Sequence, residues 1–268
     1  MHRIISGLPC SGTTLLVDLL GTHSELSPIY ETDFVGEWVH MLYDTQPHHA
    51  DELVEFMDTW SENLPNHPNN KKDYERYVHG PHHILFDQEA AMERTQMMHE
   101  EMMNGGDIEE SMVEAITDLF DQHKAIDGKE YWVNKVPMYL GMLPHLRELF
   151  TDIKVINCVR HPYDFTESVL DRPFGPESEG ESAEFWNHLV RKGSEFGLKY
   201  PDQYMQVRYE DMINYTEEVV EDSLKFFGLE QEPLVENYPY EIYKKRMGIG
   251  GEVPGIDEEL AERLDYGN

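Results

Sequence analysis

Only two cysteines, Cys10 and Cys158, occur in 268 residues. Two thiols so far apart support neither a disulfide framework nor a cysteine metal cluster. Basic residues are also scarce. Against 53 Asp and Glu stand 21 Lys and Arg, a formal net charge of −32. Nucleic-acid backbones are bound by clustered Lys and Arg, so DNA and RNA are excluded as main partners, and anionic membrane surfaces are disfavoured. No run approaches the roughly 18 consecutive apolar residues that mark a membrane span. The opening MHRIISGLPCSG has too short an apolar run for a secretory signal. A cytoplasmic protein with no membrane partner is expected. What the chain does have is material for a core: hydrophobic residues make up 40% and aromatics 11%. That is enough to fold despite the charge, and the length suits one domain over residues 1–268.

Short apolar runs alternate with helical periodicity. The pattern predicts an α/β fold, a central parallel sheet of about five strands flanked by helices. Strands are expected over 2–6, 26–30, 131–134, 153–159 and 204–208, and helices over 13–20, 139–150, 163–170, 182–199 and 216–227. Residues 33–128 break this rhythm. They are acidic and Met-rich, with helices expected over 33–43, 50–63, 88–104 and 108–123, separated by breakers such as Pro47, Gly80-Pro81 and Gly105-Gly106. This segment reads as a helical insertion over a substrate site. Ligands of parallel sheets sit beyond the carboxyl ends of the strands. The chemically informative residues fall there: the loop from Gly7 to Thr14, then Lys135, Arg160 and Tyr209.

The loop Gly7-Leu8-Pro9-Cys10-Ser11-Gly12-Thr13-Thr14 follows a strand and opens a helix. Its glycines let successive N–H groups turn toward an anion, the helix N-terminus adds partial positive charge, and Thr13 and Thr14 add hydroxyl donors. A nucleoside triphosphatase loop places Lys after the second glycine, where it reaches the β- and γ-phosphates. Here that residue is Thr13, which counts against a small-molecule kinase, the first alternative. Downstream, VINCVRHPYDFTESVL puts Arg160 at the end of an apolar strand and Ser168 eight residues on. A guanidinium is a rigid, permanently charged fork for a phosphate. Ser168 adds a hydroxyl about two turns along the following helix, and Arg172 one further turn on the same face.

These motifs resemble the sulfotransferases that use 3′-phosphoadenosine 5′-phosphosulfate (PAPS), a family on a P-loop-related α/β fold. The run Pro9-Cys10-Ser11-Gly12-Thr13-Thr14 is similar to their 5′-phosphosulfate loop, with Cys10 standing where the family has Lys or Arg. The resemblance implies that these six residues bind the 5′ end of the donor. It implies that Arg160 and Ser168 bind its 3′-phosphate, joined by Arg172 as in the tyrosylprotein branch; the pattern is most similar to the tyrosylprotein and general sulfotransferase branch. It further implies that Tyr209 touches the nucleotide and that a basic loop, Lys244-Lys245-Arg246, closes over it. Tyr209 also suits plain core packing, and the basic trio also suits a helix C-cap. Glu31 matches the catalytic base in position, with His23 and His40 as rivals. Lys135, in Asn134-Lys135-Val136-Pro137, matches the lysine that reaches the sulfonate or the bridging oxygen.

The implied reaction moves a sulfuryl group from PAPS to a hydroxyl acceptor, which is a small molecule, sugar, lipid or peptide tyrosine, and leaves adenosine 3′,5′-bisphosphate. The reaction needs no metal. The pairs His48-His49 and His82-His83 have no convincing ligand spacing. Besides the kinase, the remaining alternative is a nucleotide-binding protein whose turnover was weakened with the loss of the basic residue at position 10. Oligomeric state is not legible.

Overall fold

The first strand, β1 (Arg3–Gly7), is buried along its whole length, as its paired isoleucines require. In the computed structural model, which describes residues 1–44, 50–63, 88–232 and 250–266, it is the middle strand of the sheet. Around it stand β2 (Leu26–Tyr30), β3 (Tyr131–Lys135), β4 (Lys154–Val159) and β5 (Tyr204–Arg208), in the order β2-β3-β1-β4-β5. Every pairing is parallel. Successive residues of a strand serve opposite faces. Ile4 and Val155 join one apolar core, and Ile5 and Ile156 join the other. A sheet covered on both faces needs unbroken apolar strands rather than alternating ones, and IKVINCV is such a run.

Helices follow each strand. Thr13–Leu20 is α1. The segment between β2 and β3 folds as α2 (Asp33–Asp44), α3 (Ala50–Asn63), α4 (Gln88–Met103) and α5 (Ile108–Ile126). Beyond β3 come α6 (Leu143–Leu149), α7 (Pro162–Val169) after β4, and α8 (Glu179–Lys199). Three short helices close the described chain: α9 (Tyr209–Asn214), α10 (Thr216–Phe226) and α11 (Glu258–Arg263). The helical segment shares its core with one face of the sheet. Phe34, Trp38, Met98, Met112 and Ile116 pack in the same cluster as Ile4 and Trp132. Arg94, buried on α4, ties that helix to α5 through Glu114 and Asp118 at 3.5 and 2.9 Å.

The one helix expected over 139–150 is two pieces, a 3₁₀ segment Pro137–Met142 and then α6. Pro144 explains the break, because in a continuous helix its ring would strike the Leu140 carbonyl. Helix α8 starts at Glu179, three residues before the expected point. Ser178 caps it by accepting a hydrogen bond from the Glu181 N–H. Helix α7 ends at Val169, so Arg172 lies in the following turn and is exposed. It is not on the helical face of Ser168.

Among the described residues no helix is long and apolar enough to cross a membrane.

Candidate active site

Parallel pairing puts every strand's carboxyl end on one edge of the sheet. That edge collects the loop after Gly7, Glu31 after β2, Lys135 at the end of β3, Arg160 after β4 and Tyr209 after β5. The ladder fixes their mutual register: Tyr30 pairs with Lys135, Gly7 with Cys158, and Val159 with Arg208. Chain order reverses at β1, the usual location of a ligand crevice.

The loop is held in a conformation few side chains accept. Gly7 has φ +147°, and a Cβ there would lie 2.2 Å from the Cys158 carbonyl oxygen. Gly12 has φ +86°, and a Cβ there would lie 2.7 Å from the Tyr209 ring. Cys10 also takes positive φ, 62°, without being glycine. Such strain costs on the order of 1–3 kcal/mol and gathers at ligand sites. The Leu8 N–H donates to the Cys158 carbonyl at 3.0 Å and pins the loop to β4. Gly12 caps α1 with no side-chain hydrogen bond, and the first turn holds no acid, so the positive end of the helix is uncompensated. Ser11 Oγ is buried and has no hydrogen-bond partner among the described residues. A buried hydroxyl without a partner is costly. Beside an uncapped helix N-terminus it fits an anion. Pro9 and Thr13 are buried in the loop, while Thr14 and Cys10 are partly exposed.

Arg160 knits the second motif to the first. Its Nη1 donates to the Cys10 carbonyl and to Ser168 Oγ, each at 2.9 Å. Its guanidinium lies 4.4 Å from the Tyr209 ring centroid, a cation–π contact. Trp186, buried on α8, donates Nε1–H to the Arg160 carbonyl at 3.0 Å. Residues separated by 150 positions thus form one cationic corner over the loop. The Cys10 thiol points to the Ser168 carbonyl at 3.8 Å.

Glu31 and Lys135 meet at the other end of the loop. Lys135 Nζ is hydrogen-bonded to Glu31 Oε1. The Glu31 N–H donates to the Lys135 carbonyl at 2.9 Å, which holds Glu31 at φ +45°. Lys135 is fully buried, and burial pulls its ammonium down to about 7, against the opposing charge of Asp18. Glu31 keeps about a third of its side chain exposed. One carboxylate open to a substrate and one cation behind it can accept a proton and neutralise a nearby leaving group.

The structure therefore brings together Pro9 to Thr14, Arg160, Ser168 and Tyr209 on one side, and Glu31 with Lys135 on the other. Arg172 is exposed in the turn after α7. Lys244, Lys245 and Arg246 lie outside the described residues, as do the two histidine pairs. A side chain at Gly250 would touch His161, next to Arg160. Among the described residues no three His, Cys, Asp or Glu side chains are grouped to hold a metal ion. Two buried residues at the site were not singled out from the sequence, Trp186 and Asp18. The signal for Asp18 was present: it is the lone charge in LLVDLL.

The chain resembles known proteins over most of its length. The model of the Sulfotransferase family matches residues 4–233. Among solved structures, the chain is similar to the sulfotransferase domain from the Synechococcus PCC 7002 olefin synthase, with 18% identity and a TM-score of 0.59 over 100% of this chain and 95% of that one. It is also similar to the sulfotransferase domain from the curacin biosynthetic pathway, with 18% identity and a TM-score of 0.52 over 100% and 92%. No curated protein sequence matches it. The family match covers most of the chain, and the chain belongs to the sulfotransferase family.

Proposed function

We propose that the chain transfers a sulfuryl group from PAPS to a hydroxyl acceptor. The observation that carries the reading is the Arg160–Ser168 pair bonded to the Cys10 carbonyl, beside a loop whose buried Ser11 hydroxyl awaits an acceptor. The loop holds the 5′-phosphosulfate, and Arg160 and Ser168 hold the 3′-phosphate. Glu31 takes the proton of the acceptor hydroxyl. As the acceptor oxygen bonds to sulfur, the bond from sulfur to the phosphate oxygen breaks and its electron pair stays on that oxygen. Lys135 and the α1 N-terminus stabilise the charge that builds there. The acidic surface favours an acceptor without negative charge.

The 3′-phosphate distinguishes this donor from other adenine nucleotides. Calorimetry is expected to show adenosine 3′,5′-bisphosphate binding about ten- to a hundredfold more tightly than AMP, the scale of a charge-assisted contact. Equal affinities would sink the donor assignment.

Cys10 departs from the family pattern within the loop proposed to hold the donor. A neutral thiol adds no charge to stabilise the leaving oxygen. Cys10→Lys and Cys10→Arg are expected to raise kcat roughly tenfold, the scale of about 1.4 kcal/mol from one added contact in the transition state. Both replacements keep the backbone cost that Cys10 already carries at φ 62°. Flat turnover in both, with collapse in Lys244→Ala, would mean that the basic loop supplies the missing cation.

A further inference from the structure

Asp18 is the charged residue in an otherwise apolar stretch of α1, and it is 0% exposed. A carboxylate that far from water needs hydrogen bonds and a counter-charge to stay ionised. The first is present. Tyr30 donates its hydroxyl to Asp18 Oδ1 at 2.6 Å. Tyr30 is the ladder partner of Lys135, whose Nζ lies 5.7 Å from the Tyr30 ring centroid. Lys135 is itself 0% exposed, so both side chains are buried on either side of Tyr30, which hydrogen-bonds one and lies beside the other. Resting on the sulfuryl-transfer reading, a difficulty follows. The base Glu31 is also the direct ion-pair partner of Lys135. When Glu31 turns to an acceptor proton, it becomes neutral, and the buried ammonium loses that partner at the moment its charge is needed.

We propose that Asp18 is a positioning residue for the reaction: held by Tyr30, its carboxylate is the fixed counter-charge that keeps Lys135 cationic while Glu31 takes up the acceptor proton. Asp18 touches neither donor nor acceptor and acts through Lys135. The titratable groups placed against Lys135 include Glu31 and Tyr30 at the end of β2, Asp18 on α1 and Cys158 on β4. Burial pushes the Cys158 thiol up, which leaves it neutral. Asp18 is the anion that this proposal keeps beside Lys135 after Glu31 is protonated. Its charge opposes the burial that lowers Lys135.

The test uses the full chain labelled with ¹³Cε-lysine, with the Lys135 signal assigned by its loss in Lys135→Met. Its titration is followed in wild type, in Asp18→Asn, which keeps the shape, and in Asp18→Ser, which is smaller and still accepts from Tyr30. The pH dependence of kcat is measured in parallel. A lysine that must be charged works below its pKa and fails as pH rises through it. Both variants are expected to lower the Lys135 midpoint by about one pH unit or more, the scale of losing one close opposite charge. The alkaline limb of kcat should move down by the same amount, while affinity for adenosine 3′,5′-bisphosphate below pH 6 is retained. A merely structural role would lower kcat at every pH and move neither midpoint nor limb. A folded variant with an unmoved Lys135 midpoint overturns the proposal and leaves the sulfotransferase reading intact. A chain that transfers no sulfuryl group and does not distinguish the bisphosphate from AMP overturns both.

Discussion

Glu31→Gln is expected to lower kcat by about 10²–10⁴-fold while the affinity for adenosine 3′,5′-bisphosphate stays nearly unchanged, because general-base loss falls on the chemical step. The amide keeps the shape of the side chain and its reach to Lys135, but it cannot take a proton. The backbone supports the assignment. A non-glycine residue at φ +45° is held there by the hydrogen bond to the Lys135 carbonyl, so strain is spent to aim this side chain. Glu31→Asp, which withdraws the carboxylate by one carbon, should fall between wild type and Gln. His23, a rival from the sequence, is a poor base in this structure. It is buried, its Nε2 lies 3.0 Å from the Glu230 carbonyl, and its Nδ1 accepts from the Glu25 N–H at 3.1 Å. Turnover of the Gln variant at the wild-type rate would pass the role to His40, which is exposed on α2.

Much of this site was legible because its chemistry and its strand ends coincide in the chain. Gly7 and Gly12 mark the loop by spacing, and the structure gives the reason: one meets the β4 backbone and the other the Tyr209 ring. Arg160 follows a run whose apolar character already required a strand buried on both faces, so its place at the sheet edge followed from the strand. The Glu31–Lys135 contact joins residues 104 positions apart. It depends on β2 and β3 being neighbours, although β1 and β2 are consecutive in the chain, and periodicity carries no strand order. Arg172 was misplaced for a local reason. Spacing by four assumes that the helix continues, whereas it ends at Val169 and Arg172 sits in the turn that follows. Asp18 was overlooked because periodicity counts which residues are apolar. A buried charge appears in such a count as an interruption, and its partner Lys135 is brought beside it by the fold. Tyr209 was open to either core packing or ligand contact, and the structure shows the packing: its buried ring lies against Gly12 and under the Arg160 guanidinium.

Arg160→Ala is expected to weaken adenosine 3′,5′-bisphosphate by about ten- to a hundredfold, the equivalent of roughly 1.5–3 kcal/mol for a hydrogen bond to a charged group. Two roles have to be separated, because Arg160 also braces the loop through the Cys10 carbonyl. Bracing alone would weaken every nucleotide that uses the loop, so AMP and the bisphosphate would lose affinity together. Recognition of the 3′-phosphate would weaken the bisphosphate far more than AMP, and their ratio would approach one. Two further variants sharpen the distinction. Arg160→Lys keeps the charge but not the planar fork, so it should recover part of the selectivity. Ser168→Ala removes a hydroxyl that accepts from Arg160 at 2.9 Å but leaves the Cys10 contact in place. It should reduce bisphosphate affinity by a smaller factor with little change for AMP. Calorimetry of the two nucleotides against these three variants decides the matter. Parallel losses for AMP and the bisphosphate in Arg160→Ala would make Arg160 a brace for the loop and leave the 3′-phosphate without its proposed binding residue.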